Sequence, residues 1–471
     1  MTEHVIPIMA SCFLLAVSAQ EPAPVRDERC KSALVTADLE EITGSVKPMN
    51  AVNNGPVKSN RGTGNLELWK ELKIPFARNH DASFHAVYGG EHVVDVHAIF
   101  RDFSKDPYDP ASYDFTLTDE YLATIQEGGT KVFYRLGSTI EHAKKKYGTR
   151  VPPDFKKWAV ICEHIIRHYT EGWADGYRWD IKYWEIWNEP DLSSGKADKK
   201  TWQGTDEQFF AFYRIVALHL KKRFPKLKIG GPSLAGDISF MKRFLAEMTS
   251  KERVPLDFFS WHCYTALPEQ IGKKALEIRS MLDHFGYRDT ESILNEWNYN
   301  RGWTGKDYLD STRTIFGLKG AVFTASVMSI CQQAPVDMLM YYDASPCAYN
   351  GLFDFYLNIP RKSHYTFLAW SKLAELQHEI VVNTPAGSGL YATAATDKKR
   401  KFGLLLSYYC EAGDLPEEQM VTIKVNGTSL WGVRLYCLDE TKDFTEGSYQ
   451  TTMDGHIRFP MKTNTLVFLE K

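Results

Sequence analysis

Two short acidic motifs hold the residue types from which acid–base chemistry is built. Trp184-Glu185-Ile186-Trp187-Asn188-Glu189-Pro190-Asp191 and Ile293-Leu294-Asn295-Glu296-Trp297-Asn298 each close an apolar run of strand length. An isolated glutamate is ordinarily a solvated charge or an ion-pair partner. A carboxylate set among Trp, Ile and Leu is expensive unless it is compensated, and this marks it for a task. Two carboxyl groups about one sugar ring apart suit cleavage of a glycosidic bond: one protonates the departing oxygen while the other attacks or activates water. The Asn188 amide can hydrogen-bond a sugar 2-hydroxyl, a contact that strengthens as oxocarbenium character develops. Pro190 fixes the turn behind it. Strand alternation places Glu185, Trp187 and Glu189 on one face with Asn188 at the tip. No His or Cys cluster at metal-ligand spacing accompanies the glutamates, so no metal and no other cofactor is expected.

The elements that must carry these motifs alternate between short apolar runs and helix-length amphipathic segments. Strands are expected at Met49–Val52, Ile74–Arg78, Lys131–Leu136, Ile181–Trp187, Leu227–Gly231, Leu256–His262, Ser292–Glu296 and Asp337–Tyr342. Between them the pattern predicts helices at Thr118–Glu127, Pro153–Tyr169, Asp206–Phe224, Asp237–Thr249, Lys273–Phe285 and Thr312–Gln333. Eight such repeats fit a (β/α)₈ barrel, an α/β fold whose chemistry sits where strands end. No GxGxxG or P-loop follows a strand, which removes the nucleotide-binding alternatives. Strands four and seven face each other across a barrel mouth, so their terminal glutamates become a natural pair. After a helix at Ser363–Leu376, short alternating strands (Leu390–Thr396, Phe402–Tyr409, Val421–Val425, Leu430–Leu438, Leu466–Glu470) form a small all-β domain, a β-sandwich that Ala33–Leu39 crosses over to join. Asn426-Gly427-Thr428 matches a glycosylation sequon and is read instead as a hairpin turn. The resulting division is a leader at 1–20, an N-terminal segment at 21–48, a barrel at 49–376 and a β-sandwich at 377–471.

Composition narrows the partners. Carboxylates number 59 against 56 Lys plus Arg, so the chain lacks the basic footprint of a nucleic-acid binder. No apolar run reaches the roughly 20 residues of a membrane-spanning helix. Val5–Val17 has the length of a signal-peptide apolar region, and Val17-Ser18-Ala19 offers a cleavage site, although the MTEH start carries no Lys or Arg. A secreted or periplasmic location is expected. The eight cysteines contain no CxxC pair and read as free thiols, not as a disulfide framework.

The motifs together resemble glycoside hydrolase family 39, the β-xylosidase and α-L-iduronidase family, over about residues 33–470. The resemblance rests on Ala77-Arg78-Asn79-His80-Asp81 after strand two, Trp187-Asn188-Glu189-Pro190 after strand four, Ser260-Trp261-His262-Cys263-Tyr264 after strand six and Leu294-Asn295-Glu296 after strand seven. It implies that Glu189 is the acid/base and Glu296 the nucleophile, with anomeric configuration retained. It further implies that Asn188, His80, His262 and Tyr264 line the sugar subsite, and that the substrate is an oligosaccharide or polysaccharide carrying a β-D-xyloside-like bond. Chemically, Tyr264 can donate to the nucleophile, and Arg78 can lower its pKa or only brace the barrel. His80 and His262 can donate to ring hydroxyls. Trp187, Trp261 and Trp297 are either packing or a sugar-stacking floor. After strand eight the family's xylosidases carry acidic residues that grip sugar hydroxyls, whereas this chain reads Tyr341-Tyr342-Asp343-Ala344-Ser345, without a carboxylate pair. The same chemistry on a uronide or an arabinose/galactose-type glycan, and a carbohydrate-binding barrel without turnover, are the competing readings.

Overall fold

The computed structural model describes residues 32–58, 64–83, 90–192 and 194–471. The expected leader at 1–20 lies outside the described residues. The first strand, β1 (Ser32–Ser45), belongs to the all-β domain. Eight strands then close into a parallel barrel in chain order: β2 (Ala51–Asn53), β3 (Phe76–Arg78), β4 (Lys131–Leu136), β5 (Tyr183–Ile186), β6 (Lys228–Leu234), β7 (Phe258–Tyr264), β8 (Glu291–Asn298) and β9 (Met338–Tyr341), with β9 pairing back to β2.

The helices are α1 (Leu66–Glu71), α2 (Val96–Ile99), α3 (Thr116–Glu127), α4 (Phe155–Thr170), α5 (Asp206–Arg223), α6 (Ile238–Thr249), α7 (Pro268–His284), α8 (Gly305–Phe316), α9 (Leu318–Gln333) and α10 (Lys362–Leu376). Three of their starts, at α4, α5 and α6, follow side-chain capping chemistry. Asp154 and Asp237 accept amide N–H groups at α4 and α6, and Thr205 with Gln208 makes a reciprocal capping box at α5. The expected continuous helix over Thr312–Gln333 is instead two helices, α8 and α9, meeting at 81°. Gly317 is extended between them (φ −106°, ψ −173°), and a side chain at Gly320 would meet Thr314 O at 2.4 Å. A glycine pair therefore permits a turn that apolar periodicity does not reveal. Among the described residues no single helix is long and apolar enough to cross a membrane.

Inside the barrel, side chains stack in layers because the inward residues of each strand recur every second position. Ala51, Phe133, Tyr183, Phe258, Ile293 and Met338 form an apolar plug, in which Tyr183 stacks on Phe133 at 5.2 Å and meets the edge of Phe258 at 5.6 Å. One step further along the same strands come Asn53, Glu185, Ser260 and Asn295, joined by Arg78 two residues after Phe76. All are 0% exposed. The barrel thus changes from dry to polar in one layer, at its carboxyl end.

The all-β domain continues with β10 (His378–Asn383), β11 (Leu390–Thr396), β12 (Phe402–Tyr408), β13 (Glu418–Asn426), β14 (Arg434–Leu438), β15 (Asp443–Glu446), β16 (Gln450–Thr451), β17 (Ile457–Lys462) and β18 (Thr465–Glu470). One mixed sheet runs β15-β14-β18-β12-β11-β10-β1-β13-β17-β16. Leu435 and Leu469 near one end share an apolar cluster with Val421 and Phe459 near the other, so the sheet is curled into two layers around its own core. Its outer face, with Ala395, Leu405, Leu466 and Phe468, joins the barrel's core against α9 and α10. Asn426-Gly427 links β13 to β14, which are not neighbours in the sheet, so that turn is a crossover and not a hairpin.

Candidate active site

Arg78 is the centre of the polar layer. Its side chain is completely buried, and each of its five N–H groups has an acceptor: Nε donates to Glu185 Oε2 (2.7 Å), Nη1 to Asn53 Oδ1 and Glu296 Oε1 (both 2.9 Å), and Nη2 to Asn188 Oδ1 (2.6 Å) and Ser233 Oγ (2.9 Å). The guanidinium thus does more than brace the barrel. It bridges Glu185 and Glu296 with its single positive charge and fixes the orientation of the Asn188 amide. Asn188 Nδ2 is buried and has no partner among the described residues, as expected of a donor reserved for a ligand.

Glu189 reaches the site through a deformed strand end. β5 stops at Ile186, and the next residues leave the extended conformation: Trp187 has φ 74° and Glu189 φ 47°. The expected alternation of Glu185, Trp187 and Glu189 on one face is therefore incorrect. Glu185 points into the barrel, while Trp187 turns outward onto Trp202 and Phe212 and donates through Nε1 to Thr201 O at 2.8 Å. Thr201 Oγ1 in turn holds Glu189 O at 2.5 Å, and the Glu189 amide donates to Ser233 O at 2.8 Å.

His262 Nδ1 lies 2.8 Å from Glu189 Oε1 and 3.4 Å from Glu296 Oε2, and its Nε2 lies 2.7 Å from Ser233 Oγ. The hydrogen-bond network assigns its tautomer. Both lone pairs of Ser233 Oγ are taken by donors, Arg78 Nη2 and Asn295 Nδ2, so it cannot accept from His262 Nε2 and the ring proton sits on Nδ1; the hydroxyl proton faces His262 Nε2 at 2.7 Å and Asn188 Oδ1 at 3.2 Å. Burial lowers the imidazole pKa to about 4, so the ring is neutral and donates to Glu189 Oε1. The other oxygen of Glu189 is left for a proton. Burial, with Asp191 and Asp81 nearby, pushes the Glu189 carboxyl up to about 8.

A register shift in the β7–β8 ladder pairs Trp261 with Leu294 but His262 with Glu296. This bulge lets both Asn295 and Glu296 point inward. Glu296 Oε1 takes Arg78, and Oε2 accepts from the Tyr264 hydroxyl at 2.9 Å. Arg78 and His262 lower its pKa, as expected of the cation, but the desolvation of a carboxylate 7% exposed outweighs them and leaves it raised. His80 Nε2 stands 3.7 Å from Glu296 Oε1 and 3.4 Å from Asp81 Oδ1.

Glu189, His262 and Glu296 each present an atom within 4.8 Å of the other two. Three such atoms have the makings of a cation site, but Arg78 and the Tyr264 hydroxyl already take both oxygens of Glu296. The seven residues singled out in the sequence (Arg78, His80, Asn188, Glu189, His262, Tyr264, Glu296) thus meet at one place.

Other residues emerge only from the structure. Glu185, Asn295 and Ser233 complete the network, and Asp81 accepts from the Tyr342 hydroxyl at 2.9 Å. Asp343 is buried, holding Asn54 Nδ2 and the Ser345 amide. Trp187, Trp261 and Trp297 are at most 1% exposed and are packing, not a sugar floor. The aromatic surface at the mouth is Tyr264, Tyr349 and Trp303.

Fold and site together give an eight-stranded α/β barrel with one carboxylate at the end of its fourth strand and one at the end of its seventh, an arrangement suited to glycosidic-bond chemistry. The family model of glycosyl hydrolases family 39 matches residues 54–283, a little under half of the chain, which is therefore similar to that family over most of its barrel. The chain is 30% identical over 166 residues to a beta-xylosidase of Caldicellulosiruptor saccharolyticus, covering 32% of this chain and 31% of that protein. It is 25% identical over 254 residues to a beta-xylosidase of Geobacillus stearothermophilus, covering 47% and 46%. The aligned stretches thus span less than half of these curated relatives. Among solved structures, a glucosidase from Croceicoccus marinus superposes with TM-score 0.73 at 21% identity, over 93% of this chain and 99% of that one. A monomeric beta-xylosidase from Caulobacter crescentus superposes with TM-score 0.65 at 16% identity, again over 93% and 99%. At these identities the superpositions speak for the fold.

Proposed function

We propose that the protein is a retaining glycoside hydrolase that cleaves a β-D-xyloside-like bond by double displacement. The observation that carries the reading is the approach of a Glu189 and a Glu296 carboxylate oxygen to within 4.8 Å. Retention uses carboxyl groups roughly 5–5.5 Å apart, whereas inversion needs about 6.5–9.5 Å to admit a water. Glu296, aimed by Tyr264 and Arg78, attacks the anomeric carbon. Glu189, held protonated by its dry surroundings, gives its proton to the leaving oxygen. In the second step the ionised Glu189 takes a proton from water, which attacks from the face the leaving group vacated, opposite Glu296, and releases the Glu296 carboxylate. A neutral glycone fits better than a uronide, because Arg78, the cation at the carboxylate pair, has no N–H left for a sugar carboxylate. The names of the two curated relatives support a xyloside. We also propose a secreted or periplasmic location, resting on the Val5–Val17 apolar run.

The test is the stereochemistry of rescue on aryl xylosides, read by NMR. Azide restores turnover to Glu296→Ala with a product of inverted configuration and to Glu189→Ala with a retained one. Exchanged outcomes reverse the two roles, and failure of both in folded variants, on a xyloside that the wild type hydrolyses, refutes double displacement through this pair.

A further inference from the structure

The loop that leaves β8 is fastened to the all-β domain and carries the aromatic side chain most exposed to solvent beside the site. Trp303 is 60% exposed, yet its ring meets the Tyr264 ring edge-on with centroids 5.0 Å apart, and Tyr264 is the residue bonded to Glu296. Tyr349 stands 6.4 Å from Trp303 and 5.9 Å from Tyr342. The row Tyr342, Tyr349, Trp303 therefore begins at the hydroxyl bonded to Asp81 and ends in open solvent. Around the carboxylate pair, His80, Asn188, His262 and Glu296 are 5% exposed or less. That floor is closed, so any part of a substrate reaching Trp303 extends outward, on the leaving-group side of the bond.

The loop's position is set from outside the barrel. Glu411, in the connection after β12, accepts from the Tyr299 hydroxyl (2.8 Å), Arg301 Nε (2.6 Å) and the Tyr409 hydroxyl (2.6 Å), and pairs with Lys319 Nζ (2.8 Å). Two partners belong to the loop itself, Lys319 to α9 and Tyr409 to the all-β domain. A half-buried carboxylate with four such donors fixes the backbone two residues before Trp303. The Arg301 amide also donates to Ser311 Oγ, and the Gly302 amide to Asn300 Oδ1.

We propose that Trp303 stacks on the sugar unit on the leaving-group side, and that Glu411 of the all-β domain is a positioning residue acting through the 299–304 loop. The inference rests on the glycosidase reading. It makes the all-β domain part of substrate selection, because without Glu411 the indole loses its fixed place. An indole offers a flat apolar face to the C–H surface of a pyranose, and holding it in place beforehand reduces the ordering cost of binding.

The test compares kcat/KM for xylobiose with kcat/KM for β-xylosyl fluoride, which has no sugar on the leaving side. Trp303→Ala is expected to lower this ratio about tenfold, mainly through KM for xylobiose. Trp303→Phe lowers it less. Glu411→Gln lowers it in the same direction, and adding Glu411→Gln to Trp303→Ala lowers it no further, a non-additivity that general destabilisation does not produce. An unchanged ratio in Trp303→Ala, or additive losses in the double variant, overturns the proposal. Binding of xylobiose to Glu296→Gln, followed by tryptophan fluorescence, separates this from the underlying reading. If the wild type turns over neither substrate, the xyloside reading on which the proposal rests fails. If xylobiose does not bind Glu296→Gln, or binds equally well with and without Trp303, the stacking proposal fails.

Discussion

Replacing Glu189 with glutamine tests the proton economy of the site directly. With its carboxyl at about 8, Glu189 in the wild type is about 99% protonated at pH 6, where a carboxyl of ordinary pKa would be about 3% protonated. The buried setting thus supplies roughly thirtyfold more of the competent acid at that pH. Because the first step needs the protonated form, kcat/KM for a xyloside with a poor leaving group is expected to be level below the Glu189 pKa. Above about pH 8 it falls tenfold per unit. The acid limb belongs to Glu296, which must be ionised to attack and whose pKa burial also raises. The two groups form one coupled pair, so the limbs report the pair's apparent values. Glu189→Gln is expected to cost about 10²–10⁴-fold on such substrates. Dinitrophenyl xylosides, which need no proton, keep their first step, and the alkaline limb disappears. The assay is a pH series of kcat/KM on both substrates for wild type and variant. A wild-type alkaline midpoint near 5, or a limb that persists in Glu189→Gln, refutes the assignment.

Other outcomes follow from the same geometry. Glu189→Gln should stabilise the fold: a carboxyl whose folded pKa is raised takes up a proton on folding, so its presence costs stability increasingly from about pH 4.5 to about pH 8 and evenly beyond. Denaturant titrations at pH 5 and pH 8 should show the variant's advantage growing with pH, and a shrinking advantage contradicts the sign. Arg78→Met leaves Glu185 and Glu296 as buried, uncompensated charges, a loss of about 3–5 kcal/mol; Glu185→Leu added to it should restore part of the stability in urea melts but none of the turnover. Tyr264→Phe removes one hydrogen bond to a carboxylate and should lower kcat about 10–100-fold with the melting temperature little changed, whereas a large fall in melting temperature would mark Tyr264 as a core residue. Chelation with EDTA should leave kcat/KM unchanged, because Arg78 and the Tyr264 hydroxyl already take both oxygens of Glu296; loss restored by a divalent ion contradicts this.

How far the fold can be read from the chain depends on whether a feature repeats. The eight barrel strands and the helices between them recur with regular apolar spacing, and His262 and Tyr264 fall inward by simple continuation from Phe258 and Ser260. Isolated irregularities carry no such signal. The left-handed backbone at Trp187 breaks an alternation that the residue letters support, and the bulge at Asn295–Glu296 turns two adjacent side chains to the same side. Gly317 divides a segment whose apolar pattern runs on across it. Ser233 and Glu411 are a serine and a glutamate in unremarkable surroundings until tertiary contacts give each a role. Trp303 is indistinguishable by type from the packed Trp187, Trp261 and Trp297, because only burial separates a core indole from a surface one.

One uneven distribution of charge links these details to the chemistry. Glu185, Glu189 and Glu296 stand around a single guanidinium, and Arg78 gives its donors to Glu185 and Glu296 but none to Glu189. Glu189 is answered instead by a neutral histidine, and that neutrality is maintained by burial and by a serine already committed to other donors. Burial raises both carboxyls, but at Glu296 His262 and Arg78 oppose the rise, which favours its ionised, attacking form while Glu189 keeps the proton it must give. Glu185 has no place at the reacting atoms, yet it ties Arg78 to the barrel wall and takes Asn295 Nδ2 on its other oxygen at 2.7 Å. Exchanging Glu185 for glutamine keeps its shape but removes a charge from the guanidinium's surroundings. Arg78 then pairs more strongly with Glu296, and the acid limb of kcat/KM is expected to move to lower pH while the alkaline limb of Glu189 stays where it is. Movement of both limbs together would mean that Arg78 acts on the pair as a whole, and the division of labour argued from its five hydrogen bonds would be wrong.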